Sequence, residues 1–389
     1  MKTVAVVTGT RADYGIYRPV LRAIEANPVL DLRLLVCGAH LSARFGNTVD
    51  EIVDDGFVIA ERLETLDDDD GPAGIARSMA NGVGLFGAVY ARATPDILLV
   101  LGDRYEMFAA TAAAVPFNIP IAHIHGGEVT EGAMDDAFRH AITMMSTYHF
   151  AAADEYAARI RAMGQPADRV FVSGAPGLQN IAAIEDVSTD ELETLLGISL
   201  DPAPLLVTFH PVTREVDDTA WHVDELLAAL SNIARPVVIT YPNADTARNA
   251  VIERLETFAE SRPDVALVRN LGTRAYLALM RRAAAMVGNS SSGIIEAASF
   301  KLPVVNIGTR QQGRARGVNV IDCAHGRTDI GAALARALSP GFRESLRSLV
   351  NPYAGADAAG LIAEKLASLP LGRERQTDVP KRSAAGSAG

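Results

Sequence analysis

Charged and polar residues follow short apolar runs at three points in the first half of the chain. They occupy Gly9–Gly15, Leu101–Glu106 and His123–Glu128, and each comes after a run that is typical of a buried strand. In the first stretch, glycines allow close backbone approach, and Arg11 at a helix entrance suits an anion, with pairing to Asp13 as the alternative. This stretch lacks the Gly-x-Gly-x-x-Gly fingerprint, so no nicotinamide cofactor is expected.

The second and third stretches bring together side chains that exchange protons. Groups of opposite proton preference around one loop suit a site that needs both an acid and a base. The candidate catalytic residues are Asp103, Arg104, His125, Glu128 and Asp135. For either aspartate the alternative is a plain helix N-cap. The spacing of His123 and His125 also occurs in metal sites, but no downstream His or Cys completes a set of ligands, so no metal is expected.

The second half of the chain offers groups that bind an anion. Three serines run from a strand end straight into a helix, where hydroxyls and backbone amides hold a diphosphate well. A glutamate one turn inside that helix is placed to accept hydrogen bonds from ribose hydroxyls. A histidine and an arginine follow two further strands. Together with Arg11 of the first half, they make up the candidate nucleotide-binding residues, which are Arg11, His210, Ser290, Ser291, Ser292, Glu296 and Arg310.

Strand-like and helix-like segments alternate along the chain. Examples are the strands Thr3–Thr8, Ile97–Leu101 and Val237–Thr240 and the helices Tyr17–Ala26, Arg274–Arg282, Gly293–Phe300 and Ala354–Ser368. The strands are short, continuously apolar and rich in β-branched residues, as strands buried on both faces are. The alternation therefore predicts parallel sheets with right-handed crossovers and helices on both faces.

The pattern restarts in the middle of the chain, after a polar stretch at residues 184–204 that we predict to be a linker. A single core rarely grows to the size that 389 residues would need. We therefore predict an α/β protein with two Rossmann-like, doubly wound domains that face a central cleft. The predicted domains are residues 1–185 and 186–370, and residues 376–389 are a small, polar tail with the composition of a disordered segment.

The composition argues against several classes of protein. The chain has 36 Lys and Arg against 47 Asp and Glu, a formal charge of −11. Nucleic acid and anionic membrane surfaces favour a basic face, so neither is an expected partner. No apolar stretch is long enough to span a membrane, and no signal peptide is evident. Cys37 and Cys323 suit neither a disulfide framework nor a thiolate metal site, so we expect a cytoplasmic protein.

Together these segments resemble the hydrolysing UDP-N-acetylglucosamine 2-epimerases, which make N-acetylmannosamine for sialic-acid-type sugars. The resemblance runs from Gly9 to about Val320, with the pieces in the family's order. The pieces are Thr10–Tyr14, Gly102–Arg104, His125–Glu128 with Asp135–Thr143, His210–Thr213, Gly288–Ser291 and Gly308–Gln311. Each piece is weakly specific alone, whereas all six in sequence are strongly specific.

The resemblance implies a glycosyltransferase-B-type fold whose C-terminal domain holds most of a UDP-amino sugar's nucleotide. It also implies that UDP and the C2 proton are eliminated to leave a 2-acetamidoglucal, to which water adds with inversion at C2. By position, Asp103 and Asp135 are the proton-transfer carboxylates, and Arg104 lies near the diphosphate or sugar. UDP is held by Arg11, His210, Ser290, Ser291, Glu296 and Arg310. The resemblance suggests a homodimer or homotetramer and implies no cofactor.

The chain departs from some relatives at two positions. Where they carry a catalytic glutamate two residues after the first histidine of the third stretch, this chain has His125. Either His125 takes the proton-transfer role or Glu128 substitutes, and we favour His125. A serine that some relatives carry near the first arginine is Gly15 here, which removes one contact with UDP.

The substrate and the reaction are each open to more than one interpretation. UDP-N-acetylglucosamine is the expected substrate, and UDP-2,4-diacetamido-2,4,6-trideoxyglucose is the alternative, because enzymes for both share these loops. A glycosyltransferase of the same fold fits less well, since the acidic residues Asp103, Glu128 and Asp135 suit proton transfer. Two more candidate functions are a non-hydrolysing epimerase, which keeps UDP on its product, and a non-catalytic nucleotide-sugar-binding protein.

Overall fold

The computed structural model describes residues 1–69, 71–129, 134–182, 187–242, 248–269 and 271–370. The predicted tail and the first residues of the predicted linker lie outside these ranges. Within them, no helix has both the length and the apolar character that a membrane crossing requires.

The first domain is built on a sheet of seven parallel strands in the order β3-β2-β1-β4-β5-β6-β7. The inner strands β4 and β5 are buried at every residue, because helices cover both faces of the sheet. The strands are β1 (Lys2–Thr8), β2 (Leu30–Cys37), β3 (Ile59–Leu63), β4 (Ile97–Leu101), β5 (Ile121–Ile124), β6 (Tyr148–Ala151) and β7 (Val170–Val172).

The second domain has its own sheet of six parallel strands, in the order β10-β9-β8-β11-β12-β13. Its strands are β8 (Leu205–Thr208), β9 (Val237–Thr240), β10 (Val265–Val268), β11 (Ala285–Gly288), β12 (Val304–Ile307) and β13 (Val320–Cys323). Two separate parallel sheets of this kind confirm the predicted two-domain α/β fold.

Helices connect successive strands and pack on the sheet faces. In chain order they are α1 (Arg11–Glu25), α2 (Val49–Asp54), α3 (Pro72–Arg92), α4 (Tyr105–Ala114), α5 (Asp135–Met145), α6 (Asp154–Ala162), α7 (Gln179–Ala182), α8 (Thr189–Leu196), α9 (Thr219–Leu230), α10 (Arg248–Ser261), α11 (Gly272–Arg282), α12 (Ser292–Ile295), α13 (Arg327–Ala337), α14 (Pro340–Ser345) and α15 (Ala358–Ser368).

Two strands, β3 and β13, were not predicted from the sequence. Both lie at an edge of their sheet, where one side is not covered by a neighbouring strand. Their sequences, Ile-Ala-Glu-Arg-Leu and Val-Ile-Asp-Cys, therefore mix exposed polar residues with apolar ones. A search for continuous apolar runs finds buried central strands and passes over edges of this kind.

Helix α1 begins six residues earlier than the predicted Tyr17. Thr10 caps it, since its hydroxyl accepts a hydrogen bond from the amide of Asp13 at 3.3 Å. The carboxylate of Asp13 in turn accepts one from the amide of Thr10 at 3.0 Å, which completes a capping box. Arg11 consequently lies in the first turn of a helix and not in a loop.

The predicted linker is wrong for most of its length, because its described part belongs to the second domain. Ser188 starts α8 with a capping box to Glu191. Leu192 on this helix is fully buried and packs in the second core with Val187 and Leu200. The polar composition of the segment reflects a solvent-facing helix side and not an extended connection.

The last helix departs from the predicted domain boundaries. Residues up to 370 were assigned to the second domain, but Ile362, Ala363 and Leu366 of α15 pack in the core of the first domain. Lys2 at the start of β1 donates hydrogen bonds to the carbonyls of Ala367 and Leu369 at 2.6 and 2.8 Å. The chain therefore returns to the first domain at its end.

This packing predicts that α15 stabilises the first domain. Ile362 is fully buried, so Ile362→Ala should lower the free energy of unfolding in urea by about 2–5 kcal/mol through lost contacts and a residual cavity. Glu364→Ala, on the exposed side of the same helix, is the matched control and should change it by less than about 0.5 kcal/mol. Equal effects of the two substitutions would contradict the docking of this helix.

Candidate active site at the domain interface

Loops at the carboxyl ends of the two sheets contact each other across the domain boundary. Arg314, which follows β12, donates from Nε to the carbonyl of Val129, which follows β5, at 3.1 Å. The amide of Ala315 donates to the hydroxyl of Tyr156 on α6 at 2.8 Å. The carboxyl edges of the two sheets therefore meet at one interface, which is the place where open α/β sheets bind ligands.

Arg11 lies at this interface, and the alternative pairing with Asp13 that its sequence suggested is not formed. Asp13 is engaged in the capping box, and the buried Nη1 of Arg11 has no hydrogen bond to any described residue. Burial lowers the pKa of this guanidinium, while the nearby Glu51 and Tyr276 act in the opposite direction. Since Tyr276 belongs to α11 of the second domain, Arg11 presents a buried positive charge between the domains. Such a charge favours an anionic ligand.

The neighbouring Gly15 also faces the second domain. An added Cβ at this position would lie 3.2 Å from Oγ1 of Thr273 on α11. The carbonyl of Gly15 accepts a hydrogen bond from Asn180 at 2.6 Å. Its lack of a side chain therefore lets α1 approach α11 closely.

Arg104 is held by an acidic neighbour. Its Nε and Nη2 donate to the two carboxylate oxygens of Glu106 at 3.0 and 2.9 Å. Glu106 is buried, and burial together with this like charge raises the pKa of nearby Asp13 to about 6, although Arg104 lowers it. The predicted role of Arg104 near the diphosphate or sugar stays a prediction.

Asp103 is positioned from two sides. Gly102 adopts a left-handed conformation, with φ of 74°, directly after β4, and its carbonyl oxygen lies 2.7 Å from Nε2 of His123. Nδ1 of His123 lies 3.2 Å from the hydroxyl of Thr143. The Asp103 carboxylate itself pairs with Nη2 of Arg139 on α5. Both nitrogens of His123 are thus engaged with protein groups, which leaves this histidine a positioning role and not a metal-ligating one.

His125 and Glu128 form a buried pair. Nδ1 of His125 contacts Oε1 of Glu128, and the backbone of His125 has a φ of 62°, which is strained for a residue with a side chain. The carbonyl of His125 accepts a hydrogen bond from Nη1 of Arg139 at 2.7 Å. Arg139 therefore links the Asp103 loop to the His125 loop and fixes their relative positions.

Glu128 is kept ionised although it is buried. Burial alone would raise the pKa of Glu128, but the charges of His125, Arg314 and Arg139 outweigh it and lower the pKa to about 2. Nη1 of Arg314 lies 3.6 Å from Oε2 of Glu128, and Nη1 of Arg139 lies 4.0 Å from the same oxygen. A charged Glu128 orients the imidazole of His125 through its contact with Nδ1.

Asp135 is the first residue of α5, and Met134 before it is the N-cap. Among the described residues, no N-cap side chain makes a capping hydrogen bond in this helix or in α4, where Asp103 was the alternative cap. The structure thus does not support a plain capping role for either aspartate.

In the second domain, Asn289 fixes the loop that contains His210. The amide of His210 donates to Oδ1 of Asn289 at 2.7 Å, and Nδ2 of Asn289 donates to the carbonyl of His210 at 2.8 Å. The carbonyl of Asn289 accepts hydrogen bonds from Gln311 at 2.7 Å and from Arg310 at 3.4 Å. One asparagine thereby brings the predicted anion-binding residues of three strand ends together.

The serine run forms a tighter structure than predicted. The amide of Ser292 donates to Oγ of Ser290 at 3.3 Å. In place of the predicted helix Gly293–Phe300, the chain forms the single turn α12 followed by a 3₁₀ turn at Ala297–Phe300. Hydroxyls and loop amides, not a long helix, are therefore the donors that this segment offers.

Glu296 faces the first domain. Its Oε2 is buried and has no hydrogen bond to any residue in the described ranges. Burial raises the pKa of Glu296 to about 7, and the charges of His125 and Arg314 lower it in part. A carboxylate in this state gains hydrogen bonds when a ligand supplies hydroxyl donors.

Two further residues of this interface, Arg314 and Tyr276, were not predicted from the sequence. Arg314 lies four residues after Arg310, within a polar run that follows β12, so the run itself was a usable signal. Tyr276 lies within a predicted helix and gave no signal. It was also not evident that Arg139 pairs with Asp103, because 36 residues separate them in the chain.

The UDP-N-acetylglucosamine 2-epimerase family model matches residues 22–367 of the chain. The chain is 36% identical over 383 residues to a UDP-N,N′-diacetylbacillosamine 2-epimerase (hydrolyzing) of Legionella pneumophila, which covers 95% of this chain and 97% of that protein. It is 35% identical to a polysialic acid biosynthesis protein of Escherichia coli, over 91% of this chain and 90% of that protein.

Solved structures show the same fold. The crystal structure of the UDP-N-acetylglucosamine 2-epimerase of Neisseria meningitidis with UDP-N-acetylglucosamine bound superposes with a TM-score of 0.81. It is 19% identical and covers 94% of this chain and 99% of that one. The MurG protein of Acinetobacter baumannii, at 9% identity over 95% of this chain and 100% of that one, superposes with a TM-score of 0.55. The fold is glycosyltransferase-B-like, and the protein is an enzyme of the UDP-N-acetylglucosamine 2-epimerase family.

Proposed function

We propose that this enzyme is a hydrolysing 2-epimerase, which releases UDP from a UDP-2-acetamido sugar and inverts C2 of the sugar. UDP-N-acetylglucosamine is the first candidate substrate, with N-acetylmannosamine as the product. One observation carries the proposal: the buried pair of His125 and Glu128 in the first domain lies near Glu296 of the second domain. Oε2 of Glu296 is buried there and has no hydrogen-bond partner among the described residues.

The reaction would proceed by elimination and then hydration. A base removes the C2 proton, the electron pair forms a C1–C2 double bond, and the C1–O bond breaks as UDP leaves with its electrons. Water then adds a hydroxyl to C1, and a proton reaches C2 on the face opposite to the one it left. The atoms balance as UDP-sugar plus water giving UDP plus the epimeric free sugar.

Inversion at C2 requires two proton-transfer groups, because the proton leaves one face and returns to the other. We propose for these roles two groups on separate loops: Asp103, which pairs with Arg139, and His125, which contacts Glu128. This supports His125 as the proton-transfer residue at the position where some relatives carry glutamate, with Glu128 as the group that orients it. Asp135, at the start of α5, is the further proton-transfer carboxylate that we propose.

Loss of UDP requires stabilisation of the negative charge that grows on the diphosphate. We propose that Arg11 and Arg310 approach it from the two domains, together with the hydroxyls of Ser290, Ser291 and Ser292. His210 would complete this set, and Glu296 would accept hydrogen bonds from the ribose. The buried and unpartnered Nη1 of Arg11 supports this arrangement, since an anion would satisfy it.

A second substrate is favoured by specific relatives. The Legionella pneumophila relative and one from Campylobacter jejuni, each 36% identical, carry names that specify diacetylbacillosamine. The Escherichia coli relative at 35% carries a name that specifies polysialic acid biosynthesis. The three identities differ by no more than one percentage point. The second candidate for the same reaction is therefore the alternative substrate named above, UDP-2,4-diacetamido-2,4,6-trideoxyglucose, which is UDP-N,N′-diacetylbacillosamine.

The proposal is tested by incubating the enzyme with each UDP-sugar in deuterium oxide, without an acceptor. We expect one equivalent of free sugar per UDP, with one deuterium at C2, because the proton that returns comes from solvent. Mass analysis of the sugar measures both quantities. A product that retains UDP would indicate a non-hydrolysing epimerase, release that requires an acceptor would indicate a glycosyltransferase, and tight binding without turnover would indicate a binding protein.

The role of Asp103 is tested by Asp103→Asn. Turnover should fall by about 10²–10⁴-fold, the usual contribution of a positioned acid or base, while the dissociation constant of UDP stays close to that of the parent enzyme. Asp136→Asn is the matched control, because Asp136 is a partly exposed carboxylate beside His140 on α5. Full activity in the Asp103 variant would remove this residue from the mechanism.

The pH dependence of UDP binding tests the role of Glu296. Ribose hydroxyls donate hydrogen bonds to the ionised carboxylate of Glu296. UDP binding therefore favours the ionised form, whereas burial favours the neutral form. With a pKa of about 7, the UDP affinity of the parent enzyme should rise by roughly tenfold from pH 6 to pH 8, relative to that of Glu296→Gln. Calorimetry measures the UDP affinity of the parent enzyme and that of Glu296→Gln. The ratio of the two affinities cancels the contribution from ionisation of UDP itself. A ratio independent of pH would contradict the proposed ribose contact.

A further inference from the structure

A second group of ligand-type side chains lies in the C-terminal domain, outside the residues assigned to the reaction. Glu215 follows β8, His222 is in the first turns of α9, and His325 follows β13. One ligand atom from each lies within 4.8 Å of the other two. These three residues, which we call the His–His–Glu cluster, are brought together by the carboxyl edge of the second sheet.

Two atoms of this cluster are buried and unsatisfied. Nε2 of His325 and Oε2 of Glu215 have no hydrogen-bond partner among the described residues, although they lie 3.9 Å apart. Nε2 of His222 lies 3.8 Å from the same glutamate oxygen. The two unsatisfied atoms are themselves buried, so water does not replace the missing contacts freely. A shared partner between the three atoms would satisfy all of them.

The surroundings favour a cation. Thr309 donates from its hydroxyl to the other oxygen of Glu215, Oε1, at 3.0 Å, which leaves Oε2 directed at the histidines. Outer hydrogen bonds of this kind orient metal-ligating carboxylates. Asp218 adds a second negative charge close to both imidazoles. Gly308 leaves room for His325, because an added Cβ would lie 2.2 Å from its Nε2.

We propose that the His–His–Glu cluster binds one divalent transition-metal ion of the zinc type. Two imidazoles and one carboxylate are a ligand set that zinc uses with one position left open. Ligands at zinc distances are separated by roughly 3.4 Å in tetrahedral geometry, so the observed separations of 3.8 and 3.9 Å need only a small contraction. Magnesium and calcium, which prefer oxygen ligands, suit the cluster poorly.

Binding requires one rearrangement. The rings of His222 and His325 are stacked, with centroids 3.6 Å apart and planes inclined by 11°. One ion cannot lie in the planes of two parallel rings at once, so the rings must rotate apart when the ion enters. Trp221, whose ring lies 5.3 Å from that of His222 and 6.4 Å from that of His325, should report this change.

The chain contains a single tryptophan, so all tryptophan emission comes from a residue beside this cluster. The experiment titrates untagged, chelator-treated full-length enzyme with Co²⁺ in the absence of nucleotide, because a diphosphate binds metals by itself. We expect quenching of Trp221 emission that saturates at one equivalent, visible absorption of tetrahedral Co²⁺, and reversal by Zn²⁺. No saturable binding in the parent enzyme would overturn the proposal.

Three variants locate the ion. His325→Asn and Glu215→Gln keep much of the volume of the side chain and remove a ligand, so the cobalt affinity should fall by more than about tenfold, since even outer-shell losses cost 10–100-fold. Thr309→Val should weaken binding less than either. His140→Asn is the control, because His140 lies 3.9 Å from an aspartate but lacks a third ligand in the described structure. Unchanged binding in the two ligand variants would place the ion elsewhere and overturn the assignment.

Discussion

The carboxylate of Glu128 is buried at the domain interface, and the structure keeps it charged with three cationic or polar partners. His125 and Arg139 belong to the first domain, and Arg314 belongs to the second. Removing one partner from a buried ion cluster leaves the remaining charge uncompensated, which is costly. The charge of Glu128 therefore depends on contact between the domains. The contact of Glu128 with Nδ1 of His125 depends on it as well. The geometry of the His125–Glu128 pair therefore depends on the packing of the two domains against each other.

The same interface also contains charges that the protein itself does not satisfy. Arg11 offers a buried guanidinium nitrogen, and Glu296 offers a buried carboxylate oxygen, neither of which has a hydrogen-bond partner in the described structure. A protein maintains such groups where a ligand completes them. Their positions, one in each domain, fit a ligand with a negatively charged part and a hydroxyl-bearing part. This is the chemical outline of a nucleoside diphosphate, and it agrees with the family to which the chain belongs.

The His–His–Glu cluster lies on the same sheet edge but uses a different set of side chains. Its link to the proposed nucleotide site is Thr309, which contacts Glu215 and precedes Arg310 in the chain. No metal was expected from the sequence, because no His or Cys downstream of His123 and His125 completes a set of ligands at typical spacing. Here the ligands come from positions 215, 222 and 325, and only the order of strands in the second sheet makes them neighbours.

The amino-acid pattern alone predicts the central strands, most of the helices and the sheet edge at which the candidate site residues lie. Central strands such as β4 and β9 were predicted to the residue, because burial on both faces leaves an uninterrupted apolar run. Polar residues after those runs marked the loops at the carboxyl edge, since parallel strands end on the same side. Which charges meet at this carboxyl edge depends on the tertiary structure. Arg139 with Asp103, Arg314 with Glu128, and α15 with the first core are pairings between distant parts of the chain. Pairings of this kind depend on how helices and domains pack in three dimensions, which local sequence patterns do not encode.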